Sequence, residues 1–186
     1  MKRIFDLVLS VLTLIILLIP MALVCIAVKL SSKGAILYWS DRVGKNNKIF
    51  KMPKFRSMLI NTPAIPTHLL GNPDEYLSPI GDFLRRSSLD ELPQLFSIMK
   101  GHMSFIGPRP ALYNQEDLIA LRAKEGVDKL LPGITGWAQV NGRDNLSIAE
   151  KVALDVQYLN NQSFLLDIKI LWMTFIKVIY RDGVSH

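Results

Sequence analysis

The chain has 186 residues, 49% apolar and 20% charged, which suits one domain with a sizeable core and room for an appendage. A net charge of +6 and a pI near 9.5 point to an anionic partner: membrane lipid, nucleic acid or a phosphorylated substrate. Aromatic residues do not interleave with the basic ones, so nucleic acid ranks last, and a single cysteine, Cys25, excludes an intramolecular disulfide and a cysteine metal cluster.

From Leu7 to Val28 there is no charged side chain. At about 1.5 Å per residue this run is long enough to cross a bilayer core of roughly 30 Å. Pro20 lies inside it and removes a backbone donor, which predicts a bend or break there. The flanks are basic on both sides, with Lys2 and Arg3 before and Lys29 and Lys33 after. Because basic flanks favour the cytoplasmic side, both ends are predicted to stay there. A re-entrant helical hairpin that turns at Ile19-Pro20 satisfies both facts; a kinked single span is the competing reading. A cleaved signal peptide fits less well, because its apolar core is usually only about 7–15 residues.

Ala35 to Trp39 and Ile49 to Met52 read as strands of a β-hairpin, with turn chemistry from Gly44 to Lys48. Asn61 to Pro79 carries four prolines and reads as a surface loop, with His68 a solvated side chain in it. Ser78 is placed to cap a short helix from Pro79 to about Arg86. Ser88 and Glu91 then have capping-box spacing ahead of the helical run Leu92, Leu95, Phe96 and Met99, which Gly101 stops. Pro93 suits only a helix start, so the first turn belongs near Asp90.

Asp90 and Glu91 therefore sit where backbone N–H groups favour negative charge. An ionised carboxylate there can cap the helix, attack an electrophile or hold a divalent cation. Arg85, Arg86 and Arg109 lie close in sequence, and acids among clustered arginines suit phosphate handling.

After Gly107-Pro-Arg-Pro110, a helix is predicted from Asn114 to Lys124, with Leu118, Leu121 and Val127 on its buried side. Leu131 to Arg143 is a glycine-punctuated loop, read as a structural turn or a ligand cradle, with Trp137 as packing. It lacks the strand–GxGxxG–helix context of a dinucleotide site. Ser147-Ile-Ala-Glu150 is a second capping box, opening a helix to about Leu159. Ser163 opens the last helix, through Tyr180 and ending near Gly183, apolar enough to be a core helix or a helix lying in a membrane interface.

Five motifs occur in one order: Lys2-Arg-Ile-Phe-Asp6, Lys54-Phe-Arg-Ser-Met58, Ser88-Leu-Asp-Glu-Leu-Pro-Gln94, Gly107-Pro-Arg-Pro110 and Pro132-Gly-Ile-Thr-Gly-Trp-Ala-Gln-Val-Asn-Gly-Arg143. Each is weak alone; in series they resemble the bacterial sugar transferase family, the monotopic phosphoglycosyl transferases. The likeness runs from about Lys2 to Val184, and is to the small members that consist of a catalytic domain.

The resemblance implies an α+β, mostly helical fold. Residues 1–33 would form a re-entrant membrane helix broken at Pro20. Residues 34–186 would form a catalytic domain with a small β-hairpin and amphipathic interfacial helices, on the cytoplasmic face of the bacterial inner membrane. It implies transfer of a phosphosugar from a UDP-sugar to undecaprenyl phosphate, releasing UMP, with Mg²⁺ as cofactor, at the first membrane step of glycoconjugate assembly. Asp90 matches the nucleophile and Glu91 its partner, and the pair would hold the metal. Arg56, Arg109 and Arg143 would bind phosphates or the nucleotide. Arg85 and Arg86 are further basic candidates, and Gln139 would contact the donor.

His102 stands where the family usually has aspartate, and Met52-Pro53 replaces a residue–aromatic pair ahead of Lys54. The alternatives are a non-enzymatic membrane-surface adaptor and a phosphate-ester or anhydride hydrolase. The glycine loop does not select among sugars, and a homodimer is compatible with the reading but specified by no residue pattern.

Overall fold

In a computed structural model, which describes residues 2–63, 72–142 and 146–180, the apolar run forms one helix, α1 (Lys2–Ser31). The helical hydrogen-bonding pattern is continuous through Pro20, so the helix is not broken there as expected. Proline costs one backbone bond, and long helical stretches on either side supply the rest. Asp6, Ser10, Met21, Val24 and Val28 form one buried stripe at helical spacing. Between Ser10 and Met21 no residue is buried, so the helix is anchored at its two ends and stands most open in the middle.

The first anchor is polar. Lys2 Nζ lies 2.7 Å from Asp167 Oδ2 and donates to Tyr158 Oη at 2.9 Å. Arg3 donates to the carbonyls of Ile98 (2.6 Å) and Met99 (2.9 Å). Asp6 accepts from Ser104 Oγ and from the Phe105 backbone N–H, both at 3.1 Å. The second anchor is apolar: Met21, Val24 and Val28 pack with Phe55 and Leu84. Each such buried side chain contributes on the order of 2 kcal/mol. Substituting Asp6→Ala is expected to destabilise the detergent-solubilised chain by about 2 kcal/mol or more, read as a lower thermal midpoint. The reason is that Ser104 Oγ and the Phe105 N–H both lose their acceptor while remaining in the core.

Strands β1 (Leu37–Val43) and β2 (Ile49–Phe55) form the expected antiparallel hairpin, in register from Leu37 opposite Phe55 to Val43 opposite Ile49. Both are longer than the sequence suggested, because the polar residues Ser40, Asp41 and Arg42 continue β1. The turn places Asn46 and Asn47 in the left-handed region, which asparagine tolerates. Met52-Pro53 does not disturb β2: Met52 is buried with Phe50, Leu95, Ile98 and Met103. A two-stranded ribbon leaves each strand an open edge, where Pro53 needs no donor.

The described helices that follow are α2 (Gly81–Arg86), α3 (Gln94–Met99), α4 (Glu116–Lys124), α5 (Trp137–Asn141), α6 (Ile148–Asn160) and α7 (Phe164–Tyr180). Ser78 does not cap α2 as predicted: its buried hydroxyl has no partner, and its carbonyl accepts from Gly81 N instead. Gly101, at φ +84°, ends α3 as expected. On α4, Leu118 is buried with Val127 beyond it, but Leu121 is 38% exposed, contrary to expectation. The capping box at Ser147 and Glu150 is present in full. His68 and Gly183 lie outside the described residues.

Two three-residue strands, β3 (Ser104–Ile106) and β4 (Gly133–Thr135), pair in parallel and went unforeseen. They bring the Gly107-Pro-Arg-Pro110 loop against the glycine loop. A Cβ on Gly133 would stand 2.2 Å from Gly107 N, and one on Gly136 2.1 Å from Gly107 O. These glycines serve contact between two backbones, which is the structural-turn reading of the loop.

Helix α7 divides its apolar residues between two faces. Asp167 and Ile170 are buried, while Leu165, Ile168, Trp172 and Phe175 are exposed, with the Trp172 and Phe175 rings stacked. It is a core helix on one side and an uncovered apolar surface on the other.

Candidate active site

The site is assembled at the end of β2. Phe50, Met52 and Lys54 alternate onto one face of the strand, and the first two are buried. Lys54 is therefore a cation pointing inward. It meets the short 3₁₀ turn Leu89–Glu91, which carries both acids.

That turn is not entered through a capping box. Ser88 adopts a left-handed conformation (φ 56°, ψ 15°) and its side chain caps nothing. Glu91 cannot reach back to it because its carboxylate is taken elsewhere. Glu91 Oε1 is 2.6 Å from Lys54 Nζ and 3.3 Å from Arg109 Nη2. Helix α3 proper begins only after Pro93, so the acids precede the helix rather than forming its first turn.

The two neighbouring carboxylates are treated differently. Asp90 is 8% exposed, and its closest cation is Lys54, 3.9 Å from Oδ2. Burial pushes its pKa up to about 6, aided by the Glu91 charge and opposed by Lys54, Arg85 and Arg109. Burial pushes Glu91 up as well, but the charges and hydrogen bonds of Lys54 and Arg109 outweigh it and hold the carboxyl well below the usual range. Glu91 is a fixed counter-ion; Asp90 keeps uncommitted oxygen lone pairs.

Two arginines that sequence reasoning passed over shape the opposite wall. Arg42 donates from Nε to Ser40 Oγ (3.0 Å) and from Nη1 to the Pro110 carbonyl (3.1 Å). Its pKa is lowered to about 10, by burial first and then by Arg109, with Glu91 opposing. Arg122 donates to the Arg109 carbonyl at 2.7 Å and binds Asp155 through Nε and Nη2 at 2.9 and 2.7 Å. Arg42 and Arg122 thus grip consecutive carbonyls and present the Arg109 side chain to Glu91. Lys54 was given no role from the sequence either; the alternation of apolar Phe50 and Met52, carried two residues further along β2, is the signal that could have found it. Arg42 and Arg122 carried no comparable signal, since β1 was drawn too short and α4 has a weak pattern.

The other expected residues are dispersed. Arg86 forms an exposed (i, i+4) pair with Asp82 at 2.7 Å, and no described contact brings it to the dyad. Arg56 is buried at the end of α1, donating to Ser32 O and Oγ at 3.1 and 2.9 Å. Gln139, 7% exposed on α5, has neither amide atom hydrogen-bonded and no described contact with the acids. Arg143 lies outside the described residues. The ring of His102 rests against Phe50.

A metal would have two carboxylates here, and no group of three or more His, Cys, Asp or Glu gathers among the described residues. That donor set does not make an all-protein cage. It fits a hard cation such as Mg²⁺, which is commonly held by one or two carboxylates and completed by substrate phosphates and water.

Lys54, Arg42, Arg85 and Arg109 surround the paired carboxylates with positive charge. Residues 1–181 match the family model described as "Bacterial sugar transferase", and the chain belongs to that family. It is 42% identical over 187 residues to a UDP-glucose:undecaprenyl-phosphate glucose-1-phosphate transferase of Escherichia coli K12, covering 95% of this chain and 40% of that protein. It is 40% identical to an undecaprenyl-phosphate glucose phosphotransferase of Komagataeibacter xylinus, covering 96% and 36%. It is also 37% identical to an uncharacterized sugar transferase, EpsL, of Bacillus subtilis, covering 100% and 91%. The chain thus spans about two fifths of the first two relatives and nearly all of the third.

Proposed function

We propose that the chain transfers a phosphosugar from a UDP-sugar to undecaprenyl phosphate in two steps through Asp90. An Asp90 carboxylate oxygen attacks the sugar-bearing phosphorus. The anhydride P–O bond breaks, UMP leaves with the bridging oxygen, and an aspartyl phosphosugar remains. A phosphate oxygen of the lipid acceptor then attacks the same phosphorus, the acyl–phosphate bond breaks, and Asp90 is restored. Splitting the transfer lets a water-soluble donor and a lipid acceptor use one site in turn.

The carrying observation is the unequal pair: Glu91 Oε1 is held by both Lys54 and Arg109, while Asp90, one residue away, has Lys54 only at 3.9 Å. Lys54, Arg85 and Arg109 offset the repulsion between a carboxylate and a diphosphate. Arg42, with Nη2 left over after its two protein bonds, faces the same charge. Asp90 and Glu91 would hold Mg²⁺, which when bound neutralises phosphate charge and favours departure of UMP.

The reaction is tested with a panel of UDP-sugars with and without undecaprenyl phosphate, read as UMP formation. A transferase gives sustained UMP release only with the lipid. Sustained release without it favours the hydrolase reading, and none with any sugar leaves an adaptor.

Helix α1 is the one described helix long and apolar enough to cross a membrane. Its two anchors on the same domain favour a reading in which both ends stay cytoplasmic and the exposed middle enters one leaflet of the inner membrane as one continuous helix, without the hairpin turn expected at Ile19-Pro20. Cysteine-reactive probes placed on the two flanks are expected to label from the cytoplasmic side alone. Substituting Pro20→Leu restores a backbone donor and is expected to make one flank reachable from outside in a measurable fraction of molecules. Labelling of a wild-type flank from outside contradicts re-entry.

A further inference from the structure

Among the described residues Arg56 is a buried cation without a counter-ion. It is 8% exposed, Nη2 is used on Ser32, and Nε has no hydrogen-bond partner. No ion pair joins it to a described carboxylate. A guanidinium removed from water and left uncompensated is costly, so an arrangement of this kind calls for an anion.

The surroundings make a place for one. Arg56 lines a cleft of about 500 Å³ with Ser32, Lys33, Asn61, Glu75 and Tyr76. Gly34, at φ +111°, a conformation that favours glycine, lies against the guanidinium; a Cβ there would stand 2.3 Å from Nη1 and push the side chain aside. Lys33 is exposed at the cleft and adds a second positive charge. Glu75 is the opposing charge, and its carboxylate accepts from Asn72 at 2.7 Å.

The rim is apolar. Leu59 and Ile60 line the cleft and are exposed, Ile60 at 68%, and Leu30, at 82%, ends the exposed apolar face of α1 beside it. A basic floor, an apolar lip and the end of an apolar helix together match an anion carried on a hydrocarbon chain.

We infer that this cleft binds the phosphate group of a membrane lipid through Arg56 and Lys33, at a site separate from the Asp90–Glu91 dyad. The inference rests on α1 being membrane-embedded, but not on the chemistry assigned to Asp90. The phosphate belongs either to a bulk phospholipid or to the polyprenyl acceptor, and one experiment separates them.

Full-length chain in detergent is incubated with phosphatidylglycerol, with undecaprenyl phosphate or with inorganic phosphate, and bound lipid is counted by native mass spectrometry. Wild-type chain is expected to retain one phosphate-bearing lipid, and Arg56→Gln to weaken retention by at least about tenfold. Lys33→Glu, an exposed change that leaves the core intact, is expected to weaken it in the same direction, which covers the case of an unfolded Arg56 variant. Asp90→Asn should retain lipid as wild type does, so loss of transferase activity and loss of this site are read independently. Retention of phosphatidylglycerol assigns the cleft to bulk lipid; retention of undecaprenyl phosphate alone assigns it to the acceptor. No retained lipid, or equal retention by wild type and Lys33→Glu, overturns the inference. Thermal protection by inorganic phosphate matching that by either lipid overturns the lipid assignment.

Discussion

Replacing Asp90 with asparagine is expected to lower UMP release from a UDP-sugar by on the order of 10⁴-fold or more, while the protein still fractionates with membranes. Asparagine matches aspartate in shape, so the Leu89–Glu91 turn and the Glu91–Lys54 contact should persist. What is lost is an anionic oxygen that attacks phosphorus without first giving up a proton. On the proposed reading membrane association resides in α1, which does not include Asp90. The corresponding Glu91→Gln variant should be impaired for a different reason: Lys54 and Arg109 lose the carboxylate that orders them. Full activity of Asp90→Asn would remove Asp90 from the mechanism.

The second large effect is expected at Lys54. Its ammonium lies 2.6 Å from Glu91 and 3.9 Å from Asp90, and no other described cation is as close to both acids. Lys54→Met keeps the side-chain length and the apolar stem but leaves the acids facing one another. Turnover should fall by about 10²-fold to 10³-fold, the scale of removing one preorganised charge from a reaction centre. With Lys54 absent, the Asp90 carboxyl loses the charge that opposes its burial and rises above about 6, so the acid limb of the pH–rate profile moves to higher pH. Lys54→Arg should recover part of the rate and return the acid limb towards wild type. A lysine that only supports the fold would lower the thermal midpoint without moving that limb.

Much of the fold was legible. The apolar run, the hairpin turn, the capping box at Ser147 and the long last helix each have a local cause, and each is where the residues put it. The misreadings share a source. Ser88 and Glu91 have capping-box spacing, but a salt bridge to Lys54, distant in sequence, outbids the local bond. Pro20 was expected to bend or break the helix, and the break is not found because the flanking turns carry the helix through it. Strands β3 and β4 have three residues each and no alternation to detect, and they exist because Gly107 and Gly133 allow two backbones to meet.

The site was partly legible. The two acids stood out, and Arg109 joins them. Arg86 was grouped by nearness in sequence, whereas Asp82 four residues earlier offered the simpler exposed pair. Arg42 and Arg122 act through backbone carbonyls of the Arg109 loop, contacts that only tertiary structure creates.

Everything chemical in this account depends on a covalent bond between Asp90 and a sugar-bearing phosphoryl group. Intact-mass spectrometry of the enzyme quenched with its UDP-sugar in the absence of lipid acceptor reads that bond directly. The account predicts a mass gain of one phosphosugar, mapped to the peptide carrying Asp90, discharged by undecaprenyl phosphate and absent from Asp90→Asn. An enzyme that turns over with acceptor yet shows only its unmodified mass under these conditions contradicts it.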